Sequence, residues 1–288
     1  MSIGIIGGTG LYDLPGLDDI REREVKTPFG NPSSPVLSGV VDGVELHFLA
    51  RHGRGHTLLP SEVNYRANLY ALKVVGAKWC LSVSAVGSLQ EEFRPGQVLV
   101  PDQFIDRTKG RASTFFGEGI VGHVAFADPF CPVMREELFA VASQVAKERS
   151  TEAHNGGTYL CMEGPAFSTR AESHMYRSWG ASIIGMTNLP EAKLAREAEI
   201  AYATLALITD YDCWRSESDD VDIQEILRTL NANADLAKEV ILRIAPRLNA
   251  LEPSSLAANA LQFAIITQPD RISADVRERL RPIIGKYI

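Results

Sequence analysis

At 288 residues, with 45% hydrophobic and 23% charged side chains, the chain suits one large domain or two smaller ones with a substantial core, which argues against a largely disordered protein. Its 36 acidic residues outnumber 29 basic ones, a net charge of −7, which is the wrong sign for a duplex-wrapping nucleic-acid binder. An anionic small molecule stays open wherever basic residues gather locally.

The N-terminal residues carry no basic stretch ahead of a long apolar run, so no secretory leader is expected. No apolar stretch approaches the roughly 20 residues of a membrane span. Cys80, Cys131, Cys161 and Cys213 lack zinc-ribbon spacing and lie beside apolar stretches, as free thiols do. The expectation is a soluble cytoplasmic protein with neither membrane nor nucleic acid as partner.

Ile3 to Ile6 is an apolar run that breaks into Gly7-Gly8-Thr9-Gly10, a buried strand ending in a tight turn. Glu45 to Ala50 is a second strand, ending at Arg51-His52-Gly53. Val63, Ala67, Tyr70, Ala71 and Val74 share a helical face after Pro60-Ser61. Leu81 to Val86 is a strand ending at Gly87, and Leu138, Val141, Ala142 and Val145 repeat at helical spacing after Pro132. Thr169 and Glu172 form a capping box, each side chain satisfying a free backbone amide at a helix start. Ser182 to Gly185 leads into Met186-Thr187. Tyr202 to Ile208 is an apolar run that stops at Thr209-Asp210-Tyr211-Asp212. Arg215 to Asp222 reads as a mobile surface loop, and Asp222 with Glu225 predicts a second capping box on a long helix carrying Ile223, Ile226, Leu227 and Leu230. Strands alternating with helices predict an α/β fold: one domain over 1–266 with a mixed, twisted central sheet flanked by helices, and a C-terminal extension over 267–288.

Each strand stops at small, polar or charged residues, and such ends gather on the edge of a sheet where ligands bind. The turn Gly7 to Gly10 offers backbone amides and the Thr9 hydroxyl to an anion, though its spacing matches neither the dinucleotide fingerprint nor the Walker loop, and a plain tight turn explains it as well. Arg51-His52-Gly53-Arg54-Gly55-His56 sets two arginines and two histidines in six residues; the guanidinium fork matches phosphate oxygens, and a solvated basic turn is the alternative. No third ligand at a suitable spacing supports a metal there. Ser84-Ala85-Val86-Gly87-Ser88 is a strand end of small residues. Asp210 and Asp212 place two carboxylates at the end of a buried strand, costly unless paired or used, and a raised carboxyl there can share a proton with a ring nitrogen. Phe167, in Glu163-Gly164-Pro165-Ala166-Phe167, and Met186 could stack on a flat ring and a sugar, or simply pack in the core. Together these supply an anion site (Thr9, Arg51, His52, Ser84), a flat apolar slot and a buried acid. That inventory suits attack of phosphate on a sugar carbon with a nitrogen heterocycle leaving.

The ordered series IGIIGGTGL (Ile3 to Leu11), TPFGNPS (Thr27 to Ser33), ARHGRGH (Ala50 to His56), VNYRANLYALK (Val63 to Lys73), DQFIDRT (Asp102 to Thr108), DPFCP (Asp128 to Pro132), EGPAFSTRAES (Glu163 to Ser173), GMTNLPEAKLARE (Gly185 to Glu197) and TDYDCW (Thr209 to Trp214) resembles the methylthioadenosine phosphorylase family of the trimeric purine nucleoside phosphorylase superfamily. The resemblance implies a nucleoside phosphorylase-like fold and phosphate-binding positions at Thr9, Arg51, His52, Ser84, Ala85 and Thr187. It implies nucleoside contacts at His56, Phe167 and Met186, and at Asp210 facing N7 and the exocyclic amine with Asp212 as its partner; Ser84 joins the two aspartates as catalytic. Ile223 and Ile226 fall where the family places aliphatics against the methylthio group, with Ile266 near another such position. His123 matches a residue that reaches in from a neighbouring subunit, so a homotrimer with shared sites is implied. The implied reaction is phosphorolysis of S-methyl-5′-thioadenosine to adenine and 5-methylthioribose 1-phosphate, in purine and methionine salvage, with phosphate as co-substrate and no metal or organic cofactor.

Ser84 stands where many relatives carry threonine, and Val86 replaces a frequent cysteine, in a run shared in part with methylthioinosine-type enzymes. A broader purine nucleoside phosphorylase acting on adenosine, inosine or methylthioinosine is the main alternative. A phosphate-independent nucleosidase and a non-catalytic nucleotide-binding module are the others.

Overall fold

The computed structural model describes residues 2–11, 14–215 and 223–288. In chain order the elements are β1 (Ser2–Gly7), β2 (Asp18–Arg23), β3 (Val36–Val41), β4 (Val44–Ala50), α1 (Tyr65–Val74), β5 (Ala77–Ser88), β6 (Val98–Val100), β7 (Gln103–Arg107), α2 (Pro132–Glu148), β8 (Ala153–Asn155), β9 (Thr158–Met162), α3 (Arg170–Ser178), β10 (Ile183–Gly185), α4 (Asn188–Glu197), β11 (Ala201–Tyr211), α5 (Ile223–Asn249), α6 (Ser255–Ala258) and α7 (Ala274–Ile284). The strands form one mixed sheet with helices packed against it, as the alternation of strand and helix patterns requires.

The path β2-β3-β4-β1-β5-β10-β9-β7 forms the main sheet, and β11, β6 and β8 branch from β5. β4, β1, β5 and β11 run parallel, and all six residues of β1 are buried, as expected for parallel strands covered on both faces. The register matters for function. Gly7 lies opposite Ala50, and Ile6 lies opposite Ser82, so the carboxyl ends of β1, β4 and the middle of β5 fall at one level.

One side of β5 is paired with β11 over nearly its whole length. The other side is shared: β1 covers Ala77 to Ser82, and the antiparallel β10 covers Gly87 and Ser88. Between them, residues 83–86 have no strand neighbour on that side among the described residues. This is the place where strand order changes, and ligands bind at such a crevice in α/β sheets.

Several local expectations hold. Thr169 accepts from the Glu172 amide and Glu172 accepts from the Thr169 amide, a complete capping box. Pro132 occupies the first turn of α2, where its missing N–H costs nothing. Others shift. α1 begins at Tyr65 because Asn64 caps it, its side chain accepting from the Ala67 amide at 3.1 Å; Val63 therefore lies outside the helix, although it is buried. β11 runs past Ile208 to Tyr211, because a register shift between Ile208 and Asp210 lets the polar end keep pairing with β5. Cys80, Cys131 and Cys161 are buried free thiols and Cys213 is half-buried. The capping box expected at Asp222 and the loop expected from Ser216 onward lie outside the described residues.

The C-terminal extension contributes α7, whose Val276, Leu280, Ile283 and Ile284 are buried in the same core cluster as α1 residues Leu69, Tyr70 and Leu72. The Tyr70 hydroxyl donates to the Arg279 carbonyl at 3.0 Å. Leu280 has no exposed surface, so Leu280→Ala is expected to cost about 2–5 kcal/mol. Urea unfolding reads this, and a loss below about 0.5 kcal/mol would mark α7 as peripheral to the core.

Candidate active site

The gap in β5 collects the polar groups that the three strand ends deliver. β1 runs into a short 3-10 turn at Thr9–Leu11; the Thr9 side chain lies outside the described residues. β4 runs into Arg51, whose amide donates to the Gly7 carbonyl at 3.1 Å and extends the ladder by one residue. In a regular strand, backbone groups alternate sides, so Val83 and Ala85 both face the gap. Ser84 is buried, with its hydroxyl 3.2 Å from that of Thr187, the residue that precedes α4. Ser84, Ala85 and Thr187 therefore converge.

Arg51, expected from the sequence to meet an anion, has in addition a set of partners inside the protein. Its side chain is almost fully buried and is bound inside the protein. Nε donates to Glu191 at 2.8 Å and Nη2 to the other carboxylate oxygen at 3.1 Å, a bidentate pair. Nη2 also donates to the Ser82 hydroxyl at 2.7 Å, and Nη1 donates to the Val83 carbonyl at 3.0 Å. Burial works against its charge, and the Glu191 carboxylate outweighs that, so the guanidinium pKa is raised. Arg51 thus ties β4, β5 and α4 together beneath the gap.

His52 is half-buried, with Nδ1 2.9 Å from the Leu58 carbonyl, which can only accept; Nδ1 therefore carries the proton. Burial, opposed in part by that hydrogen bond, lowers the imidazole to a pKa of about 4. The ring stacks on His56 at 4.3 Å between centroids, and His56 is exposed with a φ of 56°.

Asp210 closes the other end of the gap. It pairs in register with Gly87, and a Cβ at Gly87 would stand 3.5 Å from its Oδ2 and 3.7 Å from the Asp212 Cβ. Gly87 thus keeps open the space in front of both acids. The Thr209 hydroxyl donates to Asp210 Oδ1 at 2.6 Å. Burial, opposed by this bond and reinforced by the charge of Asp212, raises the Asp210 carboxyl to a pKa of about 6. Burial raises Asp212 as well. From Val83, which holds Arg51, to Gly87, which adjoins Asp210, is four residues of strand, roughly 13 Å.

Met186 lies between these ends, packed so closely on Gly164 that a Cβ there would meet its sulfur at 2.5 Å. Phe167 is 84% exposed in the single chain and is not folded over Met186. Ile223 and Ile226 begin α5, and their side chains are outside the described set. His123 is exposed and is not brought to the cluster. It lines a separate cavity of about 500 Å³ with Phe116, Ile120, Lys193 and Glu197. Its amide donates to the Ala264 carbonyl, which sets His123 beside the segment carrying the exposed Phe263 and Ile266.

Two residues with no sequence-level role emerge here. Glu191 is one. Arg111 is the other: its buried guanidinium donates to the carbonyls of Met186 at 2.7 Å, Leu189 at 2.8 Å and Glu163 at 2.6 Å, and its Nε to the Glu163 carboxylate at 3.1 Å. It holds the diverging ends of β9 and β10 around Met186. Arg111 sits in a short polar stretch after Gly110 and carries no pattern that marks it. Glu191 had one usable signal, an acid in the first turn of the helix that follows Thr187.

A family profile described as the phosphorylase superfamily matches residues 2–246. The chain is 54% identical over 287 residues to the S-methyl-5′-thioadenosine phosphorylase of Geobacter sulfurreducens, covering 99% of each, and 53% identical to that of Thermosynechococcus vestitus, again covering 99% of each. This chain belongs to the methylthioadenosine phosphorylase family of that superfamily. Among solved structures, a methylthioadenosine phosphorylase from an Antarctic soil metagenomic library superposes with a TM-score of 0.94 at 49% identity, over 98% of both chains. A Schistosoma mansoni methylthioadenosine phosphorylase in complex with adenine superposes with a TM-score of 0.82 at 36% identity, over 91% of this chain and 99% of that one. The family resemblance seen in the motifs thus extends over the whole chain and its fold, including α7. Among the described residues no helix is long and apolar enough to cross a membrane, and no group of three or more His, Cys, Asp or Glu side chains converges as metal donors.

Proposed function

We propose that the protein catalyses phosphorolysis of S-methyl-5′-thioadenosine, giving adenine and 5-methylthioribose 1-phosphate. The observation that carries this reading is Asp210: a half-buried carboxyl raised to about 6, beside a glycine that leaves its Oδ2 uncrowded, at the far end of a gap whose near end holds the Ser84 and Thr187 hydroxyls. Family membership supplies the substrate class.

Phosphate sits at the near end, contacted by Thr9, His52, Ser84, the Ala85 amide and Thr187, with Arg51 stiffening the cradle from beneath and offering its remaining Nη1 N–H. A phosphate oxygen forms the bond to C1′ as the C1′–N9 bond breaks, with inversion. The Asp210 proton passes to N7, so adenine leaves neutral; Asp212 raises the proton affinity of Asp210 by its charge. Met186, Phe167 and His56 contact the nucleoside, and Ile223 and Ile226 contact the methylthio group. The reading includes a cytoplasmic homotrimer serving purine and methionine salvage, with His123 of one subunit completing a neighbour's site and Ile266 near the methylthio group. Their exposure on adjoining segments of one surface supports this. Phosphate is co-substrate, and no cofactor takes part.

The deciding experiment measures cleavage of methylthioadenosine, adenosine and inosine side by side, with and without phosphate. Cleavage of methylthioadenosine that requires phosphate and exceeds inosine cleavage in kcat/KM is expected. An undiminished rate without phosphate would make the protein a nucleosidase, and a preference for inosine would remove the role given to Asp210.

A further inference from the structure

We propose that Tyr159 is a positioning residue for phosphate: its buried hydroxyl orients the hydroxyls of Ser84 and Thr187 towards the anion. The proposal rests on the phosphate site of the functional reading and adds a residue to it that touches neither the nucleoside nor the acids.

Tyr159 lies in β9, opposite Phe104 of β7 and Ile183 of β10, and has no exposed surface. Phe104 meets its ring edge-on at 5.6 Å between centroids, which restricts rotation of the ring. On the other side the ring lies against the backbone of Gly185: a Cβ there would stand 1.9 Å from the hydroxyl oxygen and 2.7 Å from Cζ. Only glycine at 185 leaves room for the hydroxyl where it is. That hydroxyl reaches the gap in β5, with its oxygen 3.1 Å from Ser84 Oγ, which is in turn 3.2 Å from Thr187 Oγ1.

Tyr159 is hydrogen-bonded to Thr187 as well as to Ser84, so the three hydroxyls form one cluster. Burial pushes the phenol pKa up, so Tyr159 keeps its proton and donates. Donating to Ser84 Oγ, it leaves the single Ser84 proton to the Ala85 carbonyl at 3.4 Å, to Thr187 Oγ1 or to the anion, and the Thr187 proton is then free for the anion. Each link polarises the next, which strengthens the terminal donor. Serine makes this support matter more than threonine would, because its hydroxyl lacks the γ-methyl that restricts χ1. Without the phenol, Ser84 Oγ has a free lone pair and its proton has no fixed direction.

The test compares wild type, Tyr159→Phe and Gly185→Ala. Calorimetry measures the Kd of inorganic phosphate, and initial rates give separate KM values for phosphate and methylthioadenosine. Tyr159→Phe is expected to raise the phosphate Kd and KM by about 3- to 10-fold, the size of one neutral hydrogen bond, with the nucleoside KM unchanged. Gly185→Ala keeps the hydroxyl but displaces it, and is expected to weaken phosphate at least as much. An unchanged phosphate Kd in Tyr159→Phe overturns the proposal, as does a nucleoside KM that rises by the same factor, the mark of a merely structural effect. If wild type binds phosphate without using it in cleavage, the functional reading falls while the Kd comparison still decides for or against Tyr159. Should Gly185→Ala fail to fold, Tyr159→Phe alone decides.

Discussion

Asp210→Asn is expected to lower kcat for methylthioadenosine by about 10²–10⁴-fold while raising stability at neutral pH. Both effects follow from one observation. Burial holds the Asp210 carboxyl at about 6, above the ordinary value of 3.8. A carboxyl in that state keeps a proton that a solvated aspartate has already lost, and that proton is what the departing base needs. The amide keeps the shape and can still accept the hydrogen bond from Thr209, but it cannot transfer a proton. The pH dependence has a definite sign. Donation requires the protonated acid, so kcat/KM at saturating phosphate falls as pH rises through about 6, and Asp210→Asn removes that limb. For stability, the unfolded chain releases this proton near 3.8 and the folded chain near 6. Between those values the folded state binds more protons, so its stability declines as pH rises, and the deficit persists at neutral pH. A neutral side chain escapes the deficit. Steady-state rates across pH, with urea unfolding at pH 7, check both halves. A variant with near-normal rates would remove the acid from the mechanism. One that lost activity and stability together would show that the carboxyl holds up the strand end instead.

The elements that were legible in the sequence were those whose cause is local. β1, β4 and β11 show as apolar runs because strands buried on both faces need them, and the Thr169–Glu172 box shows because capping depends on residues three apart. The residue types of the inventory were legible too: Thr187 follows β10 and Asp210 is next to last in β11, while Ser84 lies inside β5, at the level where β1 stops pairing with it. Their partners were not. The pairing of Arg51 with Glu191 spans 140 positions, and the contact between Tyr159 and Ser84 spans 75. No periodicity encodes contacts that depend on the register of β1 against β5 and on where β10 takes over from β1. The same reasoning explains why the buried partner of Arg51 carries no sequence signal. An arginine after an apolar strand, beside a histidine, reads as an anion ligand when the acid that claims it lies on a distant helix. Arg111 is the extreme case, because its partners are mostly backbone carbonyls and have no residue identity to recognise.

Arg51→Ala is expected to destabilise the fold by about 3–5 kcal/mol, a large part of the 5–15 kcal/mol that holds a typical domain together. The side chains of Arg51 and Glu191 are 3% and 1% exposed, so removing one leaves the other charged, buried and uncompensated. Glu191 would keep only the Tyr202 hydroxyl, at 2.8 Å, and the Ser82 hydroxyl and Val83 carbonyl would lose their donor. Lysine restores the charge but not the fork, since its three donors radiate from one nitrogen, and Arg51→Lys is expected to recover only part of the loss. Arg51→Met combined with Glu191→Leu removes both charges at similar volume. That double variant is expected to be more stable than either single charge deletion, because the cost lies in the orphaned charge more than in the missing bond. Urea unfolding of wild type, Arg51→Ala, Arg51→Lys, Arg51→Met, Glu191→Leu and the double variant tests this directly. The competing view, that the guanidinium serves mainly to grip phosphate, predicts the reverse: near-normal stability for Arg51→Ala with a raised phosphate KM. Because Arg51 also fixes the Val83 carbonyl next to Ser84, a cradle loosened from beneath would weaken phosphate as a consequence. A rise in phosphate KM that accompanies the loss of stability therefore fits the buried pair, and a rise without it does not.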